Sequence, residues 1–201
     1  MAAGPWSRSA TTGMLGIVTC VACRMASADW ICPRCRGSLA AAPDQVVGGV
    51  LVRSVFCHEG AARLLVHRLK YEAVFGIASR LAVVLEPLLR PDCAAIIPIP
   101  RVTARRWKYG IDPARDLAVA LGRRTGVPVI HALRPQWWVP RRAGEPSARR
   151  AAPVFGQRTS GPAGAVLIDD VVTTGSTLAA AAALTGCDQA LSVTAAVWNR
   201  R

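Results

Sequence analysis

A chain of 201 residues and 21.3 kDa suits one globular domain, or one domain with a small appendage, and can bury a core without disulfides. Its composition, 52% hydrophobic and 18% charged, excludes disorder over most of its length. The net charge of +13 sits mainly in residues 101–150, which hold twelve basic and three acidic residues. Such a field attracts an anion, either a phosphorylated small molecule or a nucleic acid. Arg outnumbers Lys 23 to 2, so a solvated Arg-rich surface from a biased genome explains the same excess.

Residues 9–23 and 171–187 are the longest uncharged stretches. The first is short and contains Gly, Ser and Thr, and the second is interrupted by Thr173-Thr174-Gly175-Ser176-Thr177. Neither suits a bilayer span. The apolar run at 14–18 is too short for a signal peptide. No membrane insertion and a cytoplasmic location are expected.

In chain order, residues 1–18 read as an N-terminal extension. Cys20-x-x-Cys23 and Cys32-x-x-Cys35 follow, eight residues apart. Each pair turns two sulfurs inward, and four sulfurs close the tetrahedron that structural zinc prefers. Residues 19–40 therefore read as a small zinc ribbon with Cys20, Cys23, Cys32 and Cys35 as ligands. A redox dithiol needs no second pair, and a lipid-modified Cys20 needs a basic start and a longer apolar stretch. Four protein ligands leave no open position, so the metal is expected to be structural and to fold a segment poor in apolar residues. Whether such a ribbon meets nucleic acid or protein is open. Cys57, Cys93 and Cys187 read as small core residues.

A linker at 40–44 leads to the main domain, residues 45–201. Strands are expected within 46–56, with a bend at Gly48-Gly49. Helices are expected at 59–71 and 77–89, from apolar spacing. A short strand at 94–99 comes next. Asp112-Pro113 supplies an N-cap and a first-turn proline for a helix reaching about Arg124. A strand at 127–133 precedes a basic, Pro-rich loop at 135–161. Strand 163–168, helix 176–184 and strand 190–198 complete the pattern. Helices alternating with apolar strands imply an α/β fold with a largely parallel sheet.

The stretch Ile168-Asp169-Asp170-Val171-Val172-Thr173-Thr174-Gly175-Ser176-Thr177 carries the chemistry. An apolar strand runs into two carboxylates, then into a hydroxyl-rich turn and a helix. Ligands of open α/β sheets bind outside the carboxyl ends of strands. Gly175 lets backbone N–H groups approach a phosphate, and the helix start adds its positive end. Asp169 and Asp170 can accept from a vicinal diol or help hold a hydrated magnesium ion. A sugar phosphate fits this constellation. A nucleotide-triphosphate loop does not, because the Gly-Lys-Ser/Thr ending is absent.

This stretch resembles the phosphoribosyl pyrophosphate signature of type I phosphoribosyltransferases. From about Cys20 onward the chain resembles the competence protein ComF family, which joins an N-terminal zinc ribbon to such a domain. His67-Arg68-Leu69-Lys70-Tyr71 is similar to that family's helix ending, Ile96-Ile97-Pro98-Ile99-Pro100 with Arg105 to its strand and pyrophosphate loop, and Arg134 onward to its basic loop. The resemblance implies a type I phosphoribosyltransferase-like parallel sheet flanked by helices. It implies that Asp169 and Asp170 bind ribose hydroxyls and act in catalysis, that Thr173, Thr174, Gly175, Ser176 and Thr177 bind the 5-phosphate, and that the loop after Pro100 holds pyrophosphate. Magnesium on the pyrophosphate, and transfer of phosphoribosyl to an unidentified acceptor, are implied with them. The family continues with Arg-Gly-Phe-Asn-Gln where this chain has Tyr109-Gly110-Ile111-Asp112-Pro113. Lys108 stands near the missing Arg. Asp112 in place of Asn removes amide donors and adds a negative charge, so the resemblance carries binding further than turnover.

The alternative expectation is a non-catalytic accessory protein of DNA uptake or nucleic-acid processing, meeting single-stranded DNA or a helicase-type partner. A plain zinc-ribbon nucleic-acid binder is a third. Trp137-Trp138 fit either base stacking or loop anchoring. Lys70, closing a helix, reads as a solvated residue paired with the helix dipole, with a phosphate as its other option. His58, His67 and His131 read as structural.

Overall fold

The computed structural model describes residues 17–72, 74, 76–135 and 155–196. The basic loop's Trp137-Trp138, and Arg141, Arg142, Arg149 and Arg150, lie outside them. Val18–Thr19 (β1) and Ala26–Ser27 (β2) pair antiparallel, and Pro33–Gly37 (α1) follows with Cys32 at its N-cap. Gly48 and Gly49 adopt φ of +57° and +83°, a turn that suits glycine. They fold Gln45–Val47 (β3) antiparallel onto Val50–Cys57 (β4).

Glu59 precedes helix Gly60–Tyr71 (α2), and Gly76 precedes Ile77–Leu85 (α3), which ends in a 3-10 turn at Glu86–Leu88. The expected strand at 94–99 is Ile96–Pro98 (β5). The segment after Pro100, expected as a loop, contains the helix Thr103–Tyr109 (α4), stopped by Gly110 at φ +65°. Asp112 then stands at the N-cap of Pro113–Thr125 (α5), with the first-turn proline expected, but its side chain makes no capping bond. The strand expected at 127–133 is reduced to one parallel bridge, Val129 to Ile96. Leu133–Arg134 (β6) instead pairs with Gly156–Gln157 (β7). Val166–Val172 (β8), Ser176–Thr185 (α6) and Gln189–Ala195 (β9) follow.

The result is a mixed α/β fold around a five-stranded sheet of order β3-β4-β9-β8-β5. All neighbours are parallel except the β3–β4 hairpin. Helices cover both faces. On one face Leu65, Leu81 and Leu117, from α2, α3 and α5, join Ile96, Ile168 and Leu191. On the other Leu178 and Ala181 of α6 join Val52, Ile97 and Leu167. Burial from both sides explains why β9 is buried along its whole length, its polar Gln189, Ser192 and Thr194 included. The buried Cys20, Ala22 and Ile31 belong to the same cluster as Leu65 and Leu81, so the cysteine segment packs on the α2–α3 side of the sheet. Among the described residues no helix is long and apolar enough to cross a membrane.

The connections of β5 and β8 diverge. From β5 the chain reaches Val129 on the outer edge, whereas from β8 it passes through α6 to β9 on the inner side. The carboxyl ends of β5 and β8 thus flank the topological switch point, the place where ligands of open α/β sheets bind.

Candidate functional site

β8 extends to Val172, four residues beyond the strand end expected from sequence, so Asp169 and Asp170 lie inside the strand. Asp169 is opposite Ser192 of β9. Asp170 is buried, and its Oδ1 receives the Lys70 ammonium at 3.1 Å, with side-chain exposures of 9% and 23%. Asp169 is half-buried, and its Oδ1 accepts the Asp170 backbone N–H at 2.8 Å. Burial, and then the neighbouring Asp170 charge, push the Asp169 carboxyl up to about 8, against the pull of Lys70 and of that N–H.

The turn after β8 ends on Gly175, at φ +72° and buried. A Cβ there would sit 2.4 Å from Val47 Cγ1, so only glycine lets the start of α6 approach the β3–β4 hairpin. Thr173, Thr174 and Ser176 are exposed, Thr177 is half-buried, and the Thr174 and Ser176 hydroxyls bond at 3.0 Å. The residues read as a phosphate turn thus stand together, with hydroxyls outward at the N-terminus of a ten-residue helix.

Lys70 meets Asp170, and Arg101 and His58 neighbour Lys70. Lys70 lies in the last turn of α2 and is held by a carboxylate, not by solvent as its helix-end position suggested. The Arg101 guanidinium donates to the Lys70 carbonyl at 3.0 Å and to the Ile111 carbonyl at 3.1 Å. It also lies 5.5 Å and 4.9 Å from the ring centroids of Tyr71 and Tyr109, which meet edge to face. Arg101 therefore bolts the end of α2 to the segment that follows β5. His58, just after β4, bonds Thr194 Oγ1 of β9 at 2.8 Å through Nδ1. Its ring is held below its ordinary value by burial, then by Lys70 and Arg63, with Asp170 opposing.

Arg105 and Lys108 both fall on α4. The side chain of Arg105 lies outside the described residues. Lys108 is exposed and sits 5.3 Å from the Tyr109 ring centroid, not against the carboxylates. Asp112 is buried, which raises its carboxyl, and its Oδ1 has no partner among the described residues.

The two carboxylates do not form a ready magnesium site. Magnesium takes several oxygen ligands. Here one Asp170 oxygen is occupied by an ammonium, and the other carboxyl of the pair is held toward its protonated form.

The second constellation is the cysteine cluster. One sulfur from each of Cys20, Cys23, Cys32 and Cys35 lies within 4.8 Å of every other. Four thiols converging on one point suit tetrahedral zinc. The Cys32 N–H points at Cys20 Sγ at 3.4 Å. Burial raises the Cys20 thiol, but backbone N–H groups of Cys32, Cys23 and Ala22 outweigh it and bring it down to about 6. Burial and the other three cysteines push Cys35 up. Arg68 of α2 donates to the Val21 and Ala22 carbonyls and to Glu72, which also receives Arg24 at 2.6 Å. The cluster is thereby tied to the helix that carries Lys70.

Sequence reasoning found the carboxylates, the turn and the cysteines, because each is contiguous or regularly spaced. It gave Lys70 a phosphate as its second option, read His58 as structural and did not single out Arg101. The signal for Lys70 was its place in the Leu69-Lys70-Tyr71 helix ending that resembles the family. Compared with known proteins, the chain matches no family model and no curated protein.

Proposed function

We propose that the chain is a type I phosphoribosyltransferase-like protein of the ComF family that binds phosphoribosyl pyrophosphate and transfers phosphoribosyl to an acceptor. The observation that carries this reading is the placement of Asp169 and Asp170 at the switch point of a parallel sheet, directly ahead of a hydroxyl-rich turn and a helix N-terminus. The carboxyl end of β8 offers oxygens for a vicinal diol. The turn from Thr173 to Thr177 offers N–H and hydroxyl donors for the 5-phosphate. The segment from Arg101 to Asp112 borders the same switch point and supplies cations for pyrophosphate, with Arg105 and Lys108 in that role.

In the transfer, the bond between ribose C1 and the pyrophosphate oxygen breaks, and pyrophosphate leaves with the electron pair. The acceptor's lone pair forms the new bond to C1. Positive charge builds on the ring between these events. The chain's part is orientation and charge complementarity: acids near the ring, donors on the phosphate. Magnesium, in this reading, arrives on the pyrophosphate. In the same reading the cysteine cluster is a structural zinc ribbon.

Calorimetric titration of phosphoribosyl pyrophosphate with magnesium into zinc-loaded protein tests the proposal. Saturable binding to wild type that disappears in Asp170→Asn is expected. No binding to the wild type would remove the phosphoribosyl reading.

A further inference from the structure

Two adjacent acids near the carboxyl end of a strand look like a cation site. The Lys70–Asp170 contact changes what it can hold. Lys70 reaches Asp170 from α2, so its ammonium lies on the side of β8 covered by that helix. Its backbone is clamped by Arg101, which binds the Lys70 carbonyl and lies against the rings of Tyr71 and Tyr109. The ammonium is mostly shielded from solvent, and Asp170 almost wholly so. A buried pair of this kind is a fixed charge pattern, because removing either partner strands the other.

We propose that Lys70 is a specificity-determining residue that holds Asp170 as a resident cation, so that the site refuses a bare divalent metal and accepts a ligand that brings hydroxyls to the acids and its own metal on its phosphates. A free divalent ion approaching Asp169 and Asp170 meets the Lys70 ammonium at contact distance from one of its intended oxygens. Repulsion at that range in a poorly solvated site is large. Hydroxyl groups carry no charge and can share the acids with the ammonium. The inference deepens the phosphoribosyl reading, since it names how that ligand is told apart from free metal, and it rests on that reading only for the ligand's identity.

The test uses manganese(II) alone, followed by its free-ion paramagnetic resonance signal, with the full zinc-loaded chain. Lys70→Gln should bind one manganese ion at least about tenfold more tightly than wild type. Lys70→Arg, which keeps the cation, should not. The double variant Lys70→Gln with Asp170→Asn should lose the new site. Equal manganese affinity in wild type and a folded Lys70→Gln would overturn the proposal, as would a site that survives in the double variant. If Lys70→Gln does not fold, wild type against Asp170→Asn decides: no manganese site should be lost with Asp170, and one that is lost refutes the inference. A wild type that ignores phosphoribosyl pyrophosphate while Lys70→Gln gains manganese would sink the functional reading and leave this one standing.

Discussion

At Gly175 two independent constraints meet. The positive φ is costly for any L side chain, and the added Cβ would penetrate Val47. Gly186 has the same φ sign with open space around it. Gly175→Ala should therefore cost at least about 2 kcal/mol in urea unfolding, and Gly186→Ala about 1 kcal/mol. Truncating Val47 to Ala in the Gly175→Ala background should recover part of the loss. Equal costs at the two glycines would mean that the α6–hairpin contact is loose.

Asp169 makes a second prediction at this scale. Its carboxyl rises from 3.8 to about 8 in the folded protein, so the native state keeps a proton that the unfolded chain releases. Stability contributed by this group is greatest below the lower value and declines as pH rises toward the upper one. His58 opposes it: its lowered value means the folded state sheds a proton first, so its contribution grows as pH rises. The informative quantity is the difference between wild type and Asp169→Asn. The variant should gain melting temperature relative to wild type as pH rises from 4 to 8. A pH-independent difference would show Asp169 to be ionised throughout.

Among the elements, those with strong periodicity or caps were legible in the sequence. The Gly48-Gly49 hairpin, α2, α5 and α6 fall within a few residues of their expected bounds. Helix α4 was not, because Arg105-Arg106-Trp107-Lys108 has no apolar stripe and its side chains at 106–108 are exposed. Residues 127–132 are mostly apolar, yet hold only one bridge, because their order comes from the rim of β5 and not from a full ladder. The Lys70–Asp170 and Arg101–Lys70 contacts join segments far apart in sequence, which no local pattern encodes. Arg101→Ala should speed amide exchange across 103–112 and in the last turn of α2, while the sheet amides keep their protection. Unchanged exchange there would mean α4 is held by its own contacts.

For the molecule as a whole, the cysteine cluster and the main core are one packing unit. Ile31 and Cys20 are fully buried in the cluster that contains Leu65 and Leu81. Metal at the four thiols would then stabilise the α2–α3 side of the sheet as well as its own loops. Chelation, or Cys23→Ser, should lower the melting temperature of the whole protein in a single transition. A melt unaffected by chelation would show the thiols to be ordinary packing residues.

The central pairing of β4 with β9 has its own consequence for how the chain is made. Ser54 and Ser192 share a buried hydroxyl bond across 138 positions. During synthesis the β3–β4 hairpin emerges early and waits with one long edge bare until the last strand arrives. That interval exposes an apolar template for pairing with another nascent chain. A message cut just before codon 189 should yield a product found in inclusion bodies, because it leaves the inner edges of both β4 and β8 without the strand that separates them.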